Sequence, residues 1–348
     1  MENKLKFYSL LALFGTLFLC ENVRADGKSW TWSHKKVFSK KESLCNRKKN
    51  ELVFEKRGVP LFSQLIFSWN ALRPKKGSFI FYCQAKDAAT NQWGKWHKMF
   101  EWGENIQRSF FSGGEKTKYV YVRLESLNNN LCDGFRVKME PRRGADLAFL
   151  KGFFVCTSYF KKFRFEAVGE KIVSLPSVLI KNVPKKSQRV LDHPESARLC
   201  SPTSCSMLSE FFAKKRVDPI DFAGKSFDQG LDDYGSWPFN VAHAFEECKG
   251  NVLFYTSRMN SFFDLHKKLT EGLPVVVSVR GYIEGGQKVY RNGHLLVVVG
   301  WDSKRKRVIC QDPAFFSNKK VFVTYKIKSF LRAWEKSRRL AYVPDFGG

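Results

Sequence analysis

The stretch from Leu199 to Leu208, L-C-S-P-T-S-C-S-M-L, decides how the second half of this chain is read. Ser201 is a good capping residue and Pro202 a good opening one, so together they predict a helix with Cys200 immediately before it. At that place the positive end of the helix dipole favours a thiolate. Met207, Leu208, Phe211 and Phe212 recur at helical spacing and continue the helix. Cys205, the rival thiol, lies one turn inside. Leu208 and Phe212 follow it on the same face, so it reads as buried.

Farther along, Leu295 to Trp301 and Arg307 to Gln311 flank the polar turn Asp302-Ser-Lys-Arg-Lys306 and predict a hairpin. With the turn centred near Ser303 or Lys304, cross-strand partners have numbers summing to about 606 to 608. That register sets His294 opposite Asp312. A carboxylate facing an imidazole fixes its tautomer and stabilises the imidazolium, which in turn keeps a neighbouring thiol ionised. A thiol at a helix start, then an imidazole and a carboxylate on adjacent strands, is what nucleophilic acyl transfer requires. The other histidines, His34, His97, His193, His243 and His266, have no such partner in this reading, and His243 and His266 are expected on solvated helix faces. No C-x-x-C or H-E-x-x-H spacing occurs, so neither a metal site nor a cofactor is expected.

Around these motifs the chain divides into two grammars. From about Gly27 to Phe165, short aromatic-rich runs alternate with period two: Ser78 to Ala85, Trp93 to Phe100, Tyr119 to Ser126, Phe135 to Glu140 and Leu147 to Thr157. Polar turns separate them, which predicts an all-β sandwich over 26–170. Trp30, Trp32, Trp69, Trp93, Trp96 and Trp102 all fall here; they read as core, with sugar stacking as the alternative. A Pro-bearing crossing, 171–187, leads into 188–348. There helices at Met207 to Phe212, Phe239 to Glu247 and Met259 to Thr270 precede strands at 275–279, 295–301, 307–311 and 321–327. A short helix through Phe330 and Trp334 and a last strand near Leu340 to Val343 complete an α+β domain.

The first residues, with two lysines, an apolar run Phe7 to Cys20 and a small-residue ending at Ala25, predict a secretory signal over 1–25 and a secreted or periplasmic product. The apolar run is short of the roughly 20 residues that span a bilayer, so no membrane anchor is expected after cleavage. A lipid-modified Cys20 is the alternative. Of nine cysteines, eight remain after cleavage, and most read as small buried hydrophobes, although an oxidising compartment permits bridges. Lys and Arg number 60 against 33 Asp and Glu, a net charge of +27. The charges are dispersed without a recognition motif, which argues against a specific nucleic-acid partner and for affinity towards anionic envelope polymers or glycans.

V-P-K-K-S-Q (183–188), C-S-P-T-S-C-S-M-L, S-W-P-F-N-V-A-H-A-F, E-G-L-P-V-V-V-S-V, G-H-L-L-V-V-V-G-W-D and Q-D-P-A occur in one order from Gln188 to Tyr342. In this they resemble the papain-like cysteine peptidases related to the bacteriocin-processing, double-glycine-cleaving family. The resemblance implies Cys200 as nucleophile, His294 as general base and acid, Asp312 as the orienting acid and Gln188 as oxyanion donor. It places Trp237 and Asn240 in the wall of the substrate cleft. It implies a hydrolase of peptide or isopeptide amides acting on a peptide or protein substrate. The alternatives are an acyl or peptidyl transferase using the same thiol and a non-catalytic envelope-binding protein. The sandwich ahead of the domain departs from the transporter-fused members, so the double-glycine leader substrate does not carry over, and Cys205 stands where a plain apolar residue is usual.

Overall fold

The computed structural model describes residues 29–47 and 49–347. The expected signal over 1–25, its cleavage site and Cys20 lie outside the described residues.

The first half is built from β1 (Thr31–Val37), α1 (Lys40–Asn46), β2 (Leu52–Phe62), β3 (Gln64–Ala71), β4 (Ser78–Asp87), β5 (His97–Gly103), β6 (Gln107–Ser109), β7 (Thr117–Val120), β8 (Arg123–Ser126), β9 (Cys132–Arg142) and β10 (Leu150–Ser158). These form two antiparallel five-stranded sheets, ordered β1-β10-β3-β8-β7 and β2-β9-β4-β5-β6. One core is common to both. Phe67, Trp69 and Phe153 from the first sheet meet Phe81, Phe100 and Trp102 from the second, with Trp69 stacked on Phe81 at 4.4 Å between centroids. Burying one such ring fully contributes about 1.5–3 kcal/mol, so this cluster carries much of the half's stability. Trp30, Trp69 and Trp102 are core residues, while Trp93 and Trp96 are half-buried, with Arg136 at 4.0 Å over Trp93 and Lys138 at 5.4 Å over Trp96.

The expected single strand at 119–126 is instead a hairpin. Tyr121 and Val122 both take positive φ, 46° and 57°, the left-handed pair that a two-residue turn demands. Neither residue type advertises that conformation, which is why the turn is not legible in the sequence. The strands at 31–37, 52–62 and 64–71 and helix α1 were likewise not expected.

The second half comprises α2 (Glu170–Val173), β11 (Val178–Leu179), α3 (Cys200–Ala213), α4 (Pro219–Ser226), α5 (Trp237–Glu247), β12 (Leu253–Arg258), α6 (Phe262–Thr270), β13 (Val275–Gly281), β14 (Tyr290–Asp302), β15 (Arg307–Gln311), β16 (Phe322–Lys326), α7 (Ile327–Lys336) and β17 (Leu340–Asp345). Its seven-stranded antiparallel sheet runs β12-β17-β13-β14-β15-β16, with β11 pairing on β14. The segment read as a crossing therefore contributes a short strand to this sheet. Strand β12 precedes α6, so helices and strands are more interleaved than the sequence suggested. One face of the sheet packs under α3 and α5 and the other under α6 and α7.

The two halves are joined at an edge. β12 ends the seven-stranded sheet, and an open edge invites wrong pairing. Side chains on alternate positions of β3 occupy it. Asn70 donates to Phe254 O and accepts from Phe254 N, both at 2.8 Å, and Ser68 accepts from Thr256 N at 3.1 Å. Gln64 accepts from the buried Arg258 guanidinium at 2.8 Å. No helix among the described residues is long and apolar enough to cross a membrane.

Candidate functional site

Helix α3 starts two residues earlier than its sequence predicts. Cys200 is its first residue and Leu199 its cap, without a side-chain cap bond. The first i→i−4 bond runs from Thr203 N to Leu199 O at 3.0 Å, so Pro202 sits where a helical N–H has no partner to lose. Ser201, expected as the cap, instead bonds its hydroxyl to Tyr342 on β17 at 3.1 Å. Cys200 is partly exposed, whereas Cys205 is buried. Burial pushes the Cys205 thiol well up, and the nearby Cys200 adds to that. Of the two sulfurs, Cys200 alone meets the access a nucleophile needs.

His294 reaches this helix start from β14. Its Nε2 lies 2.6 Å from Asp312 Oδ1, and its ring lies beside Cys200, close enough for the sulfur to help raise the imidazole. With Nε2 engaged by the carboxylate, Nδ1 is the nitrogen left to face the sulfur. The meeting with Asp312 is as expected, but not by the expected route. The ladder pairs Val297 with Gln311 and Val298 with Cys310, then shifts by one residue at a bulge before Gly300 and Ile309. β15 ends at Gln311, and the Cα partner of His294 is Val279 on β13. The pair therefore closes diagonally, from beyond the end of β15, rather than straight across. Gly293, with φ at +97°, supplies the turn of backbone that aims His294.

Asp312 is fully buried and still charged. Burial pushes its carboxyl up, but the His294 charge and hydrogen bond, the Tyr325 hydroxyl and the Ala314 N–H outweigh it and hold it below the usual carboxylate range. Its Oδ1 accepts from Ala314 N at 2.9 Å, and Oδ2 accepts from Tyr325 at 2.6 Å and Tyr290 at 3.2 Å. For His294, burial pulls the imidazole down; the Asp312 charge and bond, with the Cys200 contact, hold it well above its ordinary value. An imidazolium at neutral pH can stabilise a thiolate beside it and later return a proton to a leaving amine. Tyr290 stacks on the His294 ring, 4.2 Å between centroids and 11° from parallel. Sequence reasoning missed both tyrosines. Tyr290 sits four residues before His294, a strand-face spacing that could have flagged it, whereas Tyr325 comes from β16 and has no local signal.

Gln188 opens a 3-10 turn, Gln188–Val190, and is buried. Its backbone N–H donates to Pro313 O at 2.9 Å, which ties it to the segment carrying Asp312. Its side-chain amide donates to Ser196 O at 2.8 Å, in the turn leading to Cys200. Trp237 begins α5 and packs against both halves of the molecule. Asn240 is fully buried and donates to the carbonyls of Tyr234 at 2.8 Å and Ser236 at 2.9 Å. It thus fixes the loop before α5 instead of lining open space, because a side chain with no exposed surface has none to offer a ligand. His243 and His266, expected on solvated faces, are also buried. His243 lies 2.9 Å from Glu246 and packs on Phe222, and His266 bonds Pro176 O at 2.8 Å. His243 thus has a carboxylate partner that the sequence reading denied it. All eight described cysteines are free thiols.

Residues 180–342 match the model of the Peptidase_C39 like family. Among solved structures, a candidate C39-like peptidase from Bacillus anthracis is 19% identical, with 49% of this chain and 98% of that chain covered and a TM-score of 0.38. No curated protein matches the chain.

Proposed function

We propose that residues 180–342, which match the model of the Peptidase_C39 like family, form a papain-like cysteine peptidase domain cleaving peptide or isopeptide amides through an acyl-enzyme. One observation carries this reading: a single buried imidazole, bonded to the buried carboxylate of Asp312, stands beside the partly exposed thiol of Cys200. In the proposed sequence the Cys200 thiolate attacks the amide carbonyl carbon. The amine leaves with a proton from the His294 imidazolium, and His294 then takes a proton from the water that releases the acid. Asp312 holds the tautomer and the charge throughout. The backbone N–H of Cys200, at the start of α3, and the second N–H of the Gln188 amide are the proposed oxyanion donors.

The first sheets are proposed to be a β-sandwich module reaching to about residue 170, with the papain-like unit following from β11. The basic surface of the whole is proposed to favour anionic polymers outside the cytoplasm. Profiling the protein against a peptide library beside Cys200→Ala tests the mechanism. Turnover is expected in the wild type and none in the variant, and full activity in Cys200→Ala would end this reading.

A further inference from the structure

Helix α1 joins β1, an edge of one sheet, to β2, an edge of the other, and so crosses the mouth of the gap between the sheets. Beneath it lies a cavity of about 370 Å³, within the roughly 300–1,000 Å³ typical of small-ligand clefts. Its floor is Phe38, Leu52, Phe54, Met139 and Phe153, continuous with the shared core.

For a lid over an apolar floor, α1 is inverted. Such a helix normally turns its apolar side chains inward. Here Leu44 is 52% exposed, while Ser43 and Asn46, an i,i+3 pair on one face, are each only 3% exposed. Neither is satisfied: the Ser43 hydroxyl and the Asn46 amide nitrogen have no hydrogen-bond partner, a condition protein interiors rarely tolerate. Asn46 lines the cavity, and Lys36, Lys41 and Lys49 stand at its mouth. Lys36 is paired with Glu42 at 2.6 Å, whereas Lys41 and Lys49 are exposed and have no ion-pair partner among the described residues.

An apolar floor, the orphaned Asn46 amide donor and two unpaired ammonium groups complement one kind of molecule, a hydrocarbon chain ending in an anion that accepts hydrogen bonds. We infer that the cavity under α1 binds a single-chain acyl carboxylate, its chain against Phe54, Met139 and Phe153 and its head accepting from Asn46 beside Lys41 and Lys49. This site is separate from the Cys200 centre and does not depend on the peptidase reading.

Cys45, an exposed thiol on the cavity lining, supplies the readout. Its alkylation rate in the full chain is followed by peptide mass spectrometry with dodecanoate below its micelle concentration, with Cys200 in the same digest as internal control. Equilibrium dialysis with labelled dodecanoate reads binding directly. Dodecanoate is expected to slow Cys45 alkylation and leave Cys200 unchanged. Dodecanol, lacking the charged acceptor, should bind about tenfold more weakly, and each methylene removed from the acid should cost about fourfold in affinity. Asn46→Ala should weaken dodecanoate about tenfold while the melting temperature stays level or rises. Absence of both protection and dialysis binding would overturn the inference. So would equal binding of dodecanol, protection only above the micelle concentration, or unchanged affinity in Asn46→Ala. Binding of dodecyl phosphate where dodecanoate fails would overturn the carboxylate assignment.

Discussion

Asp312 and Asn46 are both almost out of reach of solvent, yet the carboxylate of Asp312 accepts four hydrogen bonds whereas the amide nitrogen of Asn46 donates none. The difference separates two kinds of buried polarity. Around Asp312, two tyrosines, a histidine and a backbone N–H already compensate the charge, so the protein alone can hold an ion pair in its interior. Under α1 the Asn46 amide nitrogen lines an apolar cavity and stays unpaired, the gap that the inferred ligand would fill.

The comparison breaks hardest at the carboxylate. Asp312→Asn removes the charge that keeps His294 protonated, and should slow both Cys200 alkylation and peptide turnover on the order of 10³-fold or more. It should also cost about 3–5 kcal/mol of stability, because an ion pair loses one partner in a buried site. Chemical denaturation and a thiol-labelling time course read the two effects separately. Tyr325→Phe keeps the ring and removes one bond to the charged Oδ2, so a loss of about 1.5–3 kcal/mol is expected, with the Cys200–His294 contact retained. Gly293→Ala tests aim rather than charge. The space for a methyl exists, since nothing lies closer than 3.9 Å to it, but the backbone at φ +97° resists it. A cost of about 1–3 kcal/mol and slower Cys200 labelling should follow.

Acidity offers a graded version of the same test. His294 is held above its ordinary value in the fold, so its contribution is complete below the unfolded imidazole value near 6.5 and is lost as pH climbs through the raised folded value. Asp312 is held low; its contribution is present above the unfolded carboxyl value near 3.9 and is lost as pH falls through the depressed one. Compared with the double variant His294→Gln, Asp312→Asn, the wild type should lose stability by about 1.4 kcal/mol per unit over the alkaline window. Parallel urea curves for the two proteins would show that the ion pair carries no linked proton. The smallest effect belongs to the other region: Asn46→Leu, which replaces an unsatisfied donor with an apolar side chain, should change stability by no more than about 0.5 kcal/mol, or raise it.

Much of this site can be read from local pattern. The thiol at a helix start is legible because capping residues and the apolar spacing of Met207, Leu208, Phe211 and Phe212 act within a few residues of one another. The hairpin is legible because Asp302 to Lys306 is polar between two apolar runs. Its register is legible only to within one residue, since a bulge between Val298 and Gly300 leaves no mark in residue type. His243 is misjudged because α5 is enclosed almost all along its length and has no solvated face to give it, whereas His266 shares the inner face of α6 with Phe262, Leu265 and Leu269, where the helical period itself puts it.

The sequence by itself determined that a thiol would stand at a helix start and that an imidazole on one strand and a carboxylate at the end of a neighbouring one would follow, because caps, turns and periodicity are short-range effects of the backbone and its nearest side chains. Tertiary structure alone decided that Tyr290 and Tyr325 would stabilise Asp312, that β3 side chains would occupy the β12 edge, and that α1 would turn its polar face inward. Those outcomes depend on which surfaces meet when distant segments pack, and no stretch of one strand or helix carries that information.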